Sequence, residues 1–285
     1  MGNKNLRQKK EKDNTGSNMS LRNILENTLT GQELKMLPGR FDVIGDIAVI
    51  SIPYELNAHK HEIAHALIAG QGGVRSVVNK TSKLRGEHRI ASFELLAGSS
   101  TRTIHKEFGF AYELDLQEVF FNARLSYERR RITDMVQKEE RVIRPFSGVG
   151  PFAIPAAAKG AHVVALEKNI AACHMLQKNA LRNGVLQNLS VIRADATNIP
   201  SMLKCHFHRA IIPTPYGMDQ FLDILSQVVM PEGMIHFYTF KKQHQIEDLI
   251  ADYKSRGFNV LNYRRCGNVA PGVSRWVFEM IKGSS

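Results

Sequence analysis

The chain has 285 residues, of which 43% are hydrophobic, and its formal net charge is +11 at pH 7. This length suffices for one large domain or two modest ones, and the basic excess indicates a polyanionic partner, RNA or DNA ahead of a membrane. No apolar run approaches the roughly 18 residues that span a bilayer. The three cysteines fit neither a disulfide framework nor a C-x-x-C metal site, so we expect a cytoplasmic protein.

The first part of the chain divides into a tail and a mixed module. Residues 1–18 carry five basic side chains among polar ones and are predicted to be a disordered basic tail. Residues 19–121 are predicted to form an α+β domain that binds RNA or substrate. Its predicted elements are a short helix at 19–35, strand-like residues 41–52, a helix at 59–69 and strands at 74–79, 90–96 and 111–114.

Residues 122–285 show a regular alternation of strands and helices. After a basic helix at 122–137, strands are predicted at 141–146, 162–167, 189–194, 209–213, 234–240, 258–265 and 274–281. Helices are predicted at 152–159, 170–183, 218–229 and 244–256. Five strands linked by helices and followed by a hairpin predict an α/β, Rossmann-like fold whose seven-stranded sheet is mostly parallel, with one antiparallel strand.

A glycine loop follows the first of these strands, at residues 146–157 (FSGVGPFAIPAA). Gly148 and Gly150 let the backbone approach a ligand, and about twenty residues later Glu167 ends the next strand, where a carboxylate can bind a ribose diol. The third glycine of a dinucleotide site is absent. These features favour S-adenosylmethionine, which has a ribose but no phosphate, over a nicotinamide or flavin cofactor or a turn with incidental glycines.

The ligand of such a sheet lies outside the carboxyl ends of its strands, so the neighbouring loops are candidates for the same site. Lys168 follows Glu167. Asp195 and Ala196 follow the third strand, where a carboxylate can accept a hydrogen bond from the adenine amino group. Pro213 opens a proline-rich turn, residues 213–216, that either aligns an acceptor base or is merely a rigid turn.

One motif outside this region needs weighing. His61 and His65 belong to HEIAH, which matches the H-E-x-x-H helix of zinc proteases. No third ligand stands out downstream, so a solvated amphipathic helix is the better interpretation, and we predict no metal site.

Several motifs, in order and spacing, give the region from residue 38 to residue 281 a specific resemblance to a known family. They are residues 41–50 (FDVIGDIAVI), 86–89 (GEHR), 94–98 (ELLAG), 105–109 (HKEFG), 120–129 (FFNARLSYER) and the glycine loop. They resemble the archaeal and eukaryotic tRNA (guanine-37 N1)-methyltransferases, a family that includes the aminocarboxypropyltransferases of the wybutosine pathway. The resemblance implies a class I methyltransferase domain that uses S-adenosylmethionine.

The resemblance also implies roles for individual residues. Glu128 would be the general base that removes the N1 proton of guanine, and Arg89 would stabilise charge developing on O6. The residues that would contact the cofactor are Arg129, Phe146, Glu167, Lys168, Asp195 and Ala196. The plainer interpretations are that Glu128 pairs with neighbouring arginines and that Arg89 holds a phosphate.

Three positions depart from the family pattern. Arg144 and His208 stand where the family usually has Asp, and Pro213-Thr214-Pro215 replaces the Asn-Leu-Pro of the methyltransferases. We also expect no counterpart of the small N-terminal domain that the archaeal methyltransferases use, which the aminocarboxypropyltransferases lack too. Residues 152–155 (FAIP) and the spacing from 208 to 221 nevertheless favour the methyltransferase form.

The expected function is methyl transfer to N1 of guanosine 37, with the anticodon loop of tRNA as partner and the protein as a monomer. The first alternative is aminocarboxypropyl transfer to a wyosine precursor at the same position. The second is an RNA-binding paralogue without catalysis, which the three departures motivate.

Overall fold

The computed structural model describes residues 21–82, 91–203 and 206–283. The helices are α1 (Leu21–Leu25), α2 (Gly31–Met36), α3 (Lys60–Gly70), α4 (Ser126–Met135), α5 (Ala153–Ala158), α6 (Ile170–Arg182), α7 (Ile199–Met202), α8 (Phe221–Ser226) and α9 (Ile246–Ser255). The strands are β1 (Asp42–Ile44), β2 (Ile47–Ile50), β3 (Ser76–Lys80), β4 (Phe93–Ala97), β5 (Arg102–Glu107), β6 (Phe110–Asp115), β7 (Arg141–Arg144), β8 (His162–Glu167), β9 (Leu189–Arg193), β10 (Phe207–Pro213), β11 (Val229–Lys241), β12 (Phe258–Ala270) and β13 (Val273–Lys282).

The large sheet has the order β12-β13-β11-β10-β7-β8-β9 within the described part of the chain. The neighbours from β11 to β9 run parallel, and β13 runs antiparallel to β11 and to β12. The chain starts this sheet in its interior with β7, adds β8 and β9 on one side, and then crosses to β10, the central strand, on the other. These observations confirm the predicted Rossmann-like fold, and the reversal of direction places a ligand crevice between β7 and β10.

Both faces of the large sheet are covered, which explains the apolar runs in its inner strands, such as residues 163–166 of β8 and 210–212 of β10. Because successive side chains of a strand point to opposite faces, Val142 and Ile143 enter different cores. Val142 packs in a cluster with Leu176 of α6, whereas Ile143 packs in a second cluster with Leu225 of α8. The helices on the two faces therefore hold the carboxyl ends of the strands in fixed positions.

The smaller sheet, with the order β1-β2-β3-β4, packs against α3. The pattern of residues 41–52 predicted a single strand, but these residues form the hairpin of β1 and β2. Gly45 opens the turn with a φ of 60°, and a Cβ there would lie 2.0 Å from Oγ1 of Thr103. This turn therefore requires glycine. The sequence pattern did not reveal the turn, because apolar residues continue on both sides of it.

Other element predictions need correction. The predicted helix at 19–35 is two helices, with α2 starting at a capping box of Thr30 and Glu33. The strand β5 was not predicted, although it pairs with β6 across a turn in which Phe108 and Gly109 have φ of 48° and 87°. The predicted helix at 218–229 shortens to α8, and the closing hairpin extends to Ala270.

The ribbon of β5 and β6 is fastened to the large sheet by two amide side chains of α6 and its end. Asn179 accepts a hydrogen bond from the Glu113 N–H at 2.7 Å and donates to its carbonyl at 3.0 Å. Asn183 makes the same pair of bonds with Ala111 at 2.9 and 2.8 Å. These bonds satisfy the free edge of β6 and fix the segment that leads to α4.

Two predictions lie beyond these observations. The tail of residues 1–18 falls outside the described residues, and the division into domains at 19–121 and 122–285 stays a prediction. None of the helices in the described ranges is long and apolar enough to cross a membrane.

Candidate functional site

A cavity of about 360 Å3 opens at the carboxyl ends of β7, β8 and β10 and at the loop after β9. This is the crevice that the sheet order predicts, and its volume is in the range of sites for small ligands. Eight of the predicted site residues line it: Arg129, Phe146, Gly148, Glu167, Lys168, Asp195, Ala196 and Pro213. Their side chains come from four loops and from α4, so the fold brings together residues that are far apart in the sequence.

The two glycines of the loop after β7 have different tasks. Gly148 has a φ of 54° and lines the cavity, where an added Cβ would meet only the Phe120 carbonyl oxygen, at 3.7 Å. Gly150 has a φ of 98°, and its Cβ would lie 2.3 Å from Cδ1 of Leu176. Gly148 therefore keeps room for a ligand, whereas Gly150 allows the loop to pack closely on α6 and does not itself line the cavity.

The carboxylate of Glu167 lies at the tip of β8 and is held by backbone N–H groups. It accepts hydrogen bonds from Gly148 at 2.7 Å and from Lys168 and Asn169 at 2.9 Å each. Backbone donors fix the position of the carboxylate without a counter-ion. The half-buried side chain faces the cavity and can still accept from a pair of hydroxyls.

Asp195 supplies a second carboxylate, at the loop after β9. It accepts from the backbone N–H and the hydroxyl of Thr197 at 3.0 and 2.8 Å, and from Nζ of Lys168 at 2.9 Å. The hydrogen bonds from Thr197 and from Lys168 lower the pKa of Asp195 to about 2. Asp195 is therefore ionised at any physiological pH, and Ala196 beside it adds an apolar contact to the cavity.

The turn after β10 forms the opposite wall. Pro213 and Pro215 line the cavity, and the Thr214 hydroxyl donates a hydrogen bond to the carbonyl of Tyr238 on β11. Just outside, Tyr216 is 60% exposed and its ring lies 5.3 Å from the ring of Phe240. The wall is thus rigid inside and aromatic at its mouth.

Arg129 reaches the cavity wall, but a buried ion pair occupies its guanidinium. Nε donates to Oε1 of Glu107 at 2.7 Å, Nη2 donates to the other oxygen of Glu107, and Nη1 donates to the Asn122 carbonyl at 2.9 Å. Its guanidinium also lies over the Phe121 ring, 5.3 Å from the centroid. Arg129 consequently acts in this conformation as part of the wall, with few donors left for a ligand.

Glu128, the predicted base, is buried next to the cavity but does not line it. Arg131 donates to both of its oxygens, at 3.1 and 2.6 Å, and the Tyr238 hydroxyl donates at 2.9 Å. Arg131 also donates to Glu279 on β13. The pairing of Glu128 with an arginine, which the sequence left open, is therefore present in the structure.

Three other residues were singled out in the sequence: Arg89, His61 and His208. Arg89 lies outside the described residues. His61 shares a hydrogen bond of 3.0 Å with the Leu96 carbonyl, and no group of three potential metal ligands occurs among the described residues. His208 accepts a hydrogen bond from the Arg141 N–H at the start of β10 and does not line the cavity, so that departure from the family leaves the cavity unchanged.

Sequence reasoning missed two cations of the cavity as ligand-facing groups. Arg144, at the end of β7, was noted only as a departure from the family. Arg275 comes from β13, more than a hundred residues later, and its guanidinium lies over the Phe240 ring, 5.1 Å from the centroid. No local pattern marks Arg275, because only the antiparallel pairing of β13 with β11 brings it to the site.

The described geometry suits a nucleoside ligand. Gly148 leaves space on the floor, and Glu167 and Asp195 present two carboxylates, one suited to ribose hydroxyls and one to an exocyclic amine. Within the described residues, the loop after β7 shows no phosphate cradle, since the backbone N–H of Gly148 points to Glu167. Fold and cavity together define a Rossmann-like domain of the class I methyltransferase type.

Comparison with known proteins identifies the family. The model of the TRM5/TYW2 methyltransferase domain matches residues 103–259, and the model of the TYW2 N-terminal domain matches residues 21–101. The chain belongs to the TRM5/TYW2 methyltransferase family.

Three curated relatives illustrate the range of this family. The tRNA (guanine(37)-N(1))-methyltransferase Trm5b of Pyrococcus abyssi is 37% identical over 73% of the chain, which spans only 62% of that protein. The tRNA(Phe) (4-demethylwyosine(37)-C(7)) aminocarboxypropyltransferase of Pyrococcus horikoshii is 29% identical over 91% of the chain and 95% of its own length. The tRNA 4-demethylwyosine(37)-methyltransferase Taw21 of Saccharolobus solfataricus is 31% identical over 76% of the chain and 85% of its own length.

Solved structures agree with this range. Trm5b from Pyrococcus abyssi superimposes with a TM-score of 0.80 at 33% identity, covering 90% of this chain and 79% of that one. A complex of aTrm5 with tRNALeu gives 0.83 at 27% identity, covering 93% and 78%. TYW2 of P. horikoshii in complex with MeSAdo gives 0.75 at 26% identity, covering 93% and 98%.

Proposed function

We propose that this protein transfers the methyl group of S-adenosylmethionine to N1 of guanosine 37 in tRNA. The observation that carries the proposal is the cavity at the switch point of the large sheet, with Glu167 and Asp195 facing it from neighbouring strands. The relatives named as transferases acting on position 37 of tRNA support the substrate, and the 37% identity to the Pyrococcus abyssi methyltransferase favours the methyl reaction.

The protein groups would divide the binding of the cofactor between them. Glu167 would accept hydrogen bonds from the ribose hydroxyls, and Asp195 would accept one from the adenine amino group. The cofactor supplies an electrophilic carbon on a sulfonium. Pro213 and Pro215 would limit where the acceptor base can lie relative to that carbon, because a proline turn has little freedom to move.

Glu128 would take the N1 proton of guanine, since a protonated N1 is a poor nucleophile. In this conformation Arg131 and Tyr238 already donate to both of its oxygens. The base role therefore requires that an approaching guanine displace one of these donors. Arg131 has a second carboxylate partner in Glu279 and can retain that bond while Glu128 turns.

The rim of the cavity carries groups that suit an unpaired RNA base. At the mouth, the rings of Tyr216 and Phe240 contact each other at a tilt of 49°, and the guanidinium of Arg275 lies over the Phe240 ring. Nearby on the hairpin, Arg264 lies over the exposed ring of Tyr127, 5.5 Å from its centroid. Aromatic rings and guanidinium planes are the surfaces on which flipped-out bases stack, so we assign this rim to the anticodon loop.

Aminocarboxypropyl transfer to a wyosine precursor is the second candidate. The match of residues 21–101 to the TYW2 N-terminal domain and the 95% coverage of the Pyrococcus horikoshii transferase favour it. The same cofactor would then be attacked at a different carbon next to sulfur, so a shift of about one bond length in its position decides the product.

Mass spectrometry of nucleosides tests these candidates. The protein is incubated with S-adenosylmethionine and tRNA, either unmodified or carrying the wyosine precursor, and the tRNA is then digested. A guanosine that gains one methyl supports the proposal. A precursor that gains the four-carbon amino-acid unit supports the second candidate, and a precursor that gains a methyl indicates a Taw21-like reaction. No product, together with no cofactor binding at millimolar concentration, would favour an RNA-binding paralogue without catalysis.

Salt dependence tests the RNA contact separately. If the basic surface contacts phosphates, tRNA affinity should fall steeply between about 50 and 200 mM salt, because each contact releases counter-ions. A flat response would count against it. Light scattering during size-exclusion chromatography tests the expected monomer.

A further inference from the structure

Arg144 differs from the other buried arginines of the described residues in what holds its guanidinium. Arg209 donates to both oxygens of Glu140 at 2.9 Å, and Arg129 donates to both oxygens of Glu107. Arg144 is only 3% exposed, yet its polar partner is the neighbouring Pro145 carbonyl, and its buried Nε has no hydrogen-bond acceptor among the described residues. The guanidinium otherwise lies over the Phe152 ring, 4.8 Å from the centroid.

A buried cation without a carboxylate is unfavourable, because the protein interior does not replace the water that the charge has lost. Burial accordingly lowers the pKa of Arg144 to about 9. A ring face compensates this loss only in part. Because Arg144 lines the cavity, a ligand bound there can supply the anionic group that the protein does not.

The two sides of the cavity differ in net charge. Glu167 and Asp195 lie at the ends of β8 and β9, on one side of β7, where Lys168 pairs with Asp195 and leaves one carboxylate in excess. Arg144 is on β7 itself, and Arg275 enters from β13 on the other side. A ligand with a neutral nucleoside toward β8 and β9 and an anionic group toward β7 would match this layout. A ligand whose second end is only cationic would meet repulsion from Arg144.

We propose that Arg144 binds the carboxylate at the amino-acid end of the cofactor and makes the site selective for adenosine ligands that carry an anion there. The inference rests on the proposed function, because it takes S-adenosylmethionine and its product as the ligands. The planar fork of Arg144, with Nε and one Nη on the same edge, suits the two oxygens of a carboxylate.

Three matched ligands test the inference by calorimetry: S-adenosylhomocysteine, its decarboxylated analogue, and 5′-methylthioadenosine, which lacks the whole amino-acid part. We expect the wild-type protein to bind S-adenosylhomocysteine about 30-fold more tightly than the decarboxylated analogue, as for a buried charge-assisted pair. In Arg144→Met this preference should fall below about threefold, while the affinity for 5′-methylthioadenosine changes by less than about threefold. Arg144→Lys should keep part of the preference.

Arg130→Met is the matched control, because Arg130 is half exposed, pairs with Asp134 and does not line the cavity. It should leave the preference intact. Equal binding of both ligands by the wild-type protein would overturn the inference and leave the proposed function standing. Failure of all three ligands to bind would overturn both. Equal losses for all three ligands in Arg144→Met would make Arg144 a structural residue and also overturn the inference.

Thermal unfolding without added ligand gives an independent readout. Removing an unpaired buried charge should leave the melting temperature of Arg144→Met unchanged or raised, and the increase that S-adenosylhomocysteine produces should shrink. A drop of many degrees would contradict the inference. The comparison of ligands on the wild-type protein needs no variant and can overturn the inference even if Arg144→Met does not fold, and Arg144→Lys then tests whether the preference belongs to Arg144.

Discussion

Carboxylates occur in two regions beside the same cavity, and the protein holds them in different ways. At the ends of β8 and β9, Glu167 is held by backbone N–H groups and Asp195 by a backbone N–H and two side chains. In the region of α4, Glu128 is held by the partly buried Arg131, and Glu107 is held by the buried Arg129. Backbone donors orient a carboxylate and leave it open to a ligand, whereas a paired guanidinium occupies its oxygens. The first region is prepared for binding as it stands, whereas the proposed base role of Glu128 requires the second to rearrange.

The most severe test of this difference is Glu128→Gln. If Glu128 takes the N1 proton, kcat should fall by about 10²- to 10⁴-fold, because the amide cannot act as a base. The affinities for cofactor and tRNA should change little, since Gln keeps an oxygen for Arg131. Single-turnover kinetics and tRNA titration measure the two effects. Similar losses in rate and tRNA affinity would remove Glu128 from the base role, and Glu279→Gln, on the same arginine, should cost far less activity.

Arg129→Met tests whether the arginine of the second region is structural. The substitution leaves the buried carboxylate of Glu107 without its guanidinium partner, so the free energy of unfolding should fall by about 3–5 kcal/mol. The neighbouring substitution Arg130→Met breaks only an exposed pair with Asp134 and should cost less than about 1 kcal/mol. Urea denaturation of both variants makes the comparison, and equal effects would contradict it.

The same pair predicts a pH dependence. Burial alone raises the pKa of Glu107, but hydrogen bonds from Arg129 and from His105 outweigh it and hold the pKa below the ordinary value of 4.5. Stabilisation by a carboxyl with a lowered pKa is complete above its unfolded value and is lost as the pH falls through the folded one. In Arg129→Met the buried carboxyl lacks the main partner that lowers its pKa and is protonated at a higher pH, so the deficit of the variant in urea midpoint should shrink as the pH falls toward about 4.5 and continue to shrink below it. A constant deficit down to pH 3 would mean that the ion pair is not its source.

Glu167→Ala tests the first region. Loss of the acceptor for two ribose hydroxyls should weaken S-adenosylhomocysteine and 5′-methylthioadenosine equally, by about 100-fold. Glu167→Gln, which keeps one oxygen, should lose less. Calorimetry on both ligands distinguishes this variant from those at Arg144, for which only the affinity for the ligand with a carboxylate should fall. A loss confined to one ligand would contradict the assignment of Glu167 to the ribose.

The smallest expected effect concerns Asp195. Asp195→Asn should weaken adenosine ligands about tenfold. Because the pKa of Asp195 is about 2, the carboxylate stays ionised well below the ordinary value of 3.8, and the difference from wild type should stay constant from about pH 4 to 8. Convergence of the two affinities as the pH falls toward about 4 would show that the pKa is not lowered in this way.

The sequence predicted the binding region better than the α4 region, for a physical reason. A glycine turn after a strand and an acid at the end of the next strand are local signals, and the parallel sheet brings them together. The partner of Arg129 lies on β5, a strand that the apolar pattern could not reveal. Its inward side chains include Thr103 and Glu107, which are buried because they are hydrogen-bonded and not because they are apolar.

Arg144 lies between these two cases. Its difference from the family pattern is visible in the sequence, but its burial and the missing acceptor at Nε are not. These depend on how Pro145 and Phe152 fold back around it. The closing hairpin was likewise predicted, but its strands were predicted too short. The exposed residues of β12 beyond Arg265 show little apolar alternation, so the sequence pattern does not mark them as a strand.

The position of β7 in the interior of the large sheet has a consequence for how the molecule is made. This strand leaves the ribosome first among the strands of its sheet, yet its neighbour β10 follows only after two further strand–helix units. The cavity is lined from Phe120 to Arg275 and is complete only when β13 has paired with β11. Such non-local pairing slows folding and exposes apolar strands during synthesis. Nucleoside binding is therefore a property of the finished chain, and it can serve as a late reporter of successful folding.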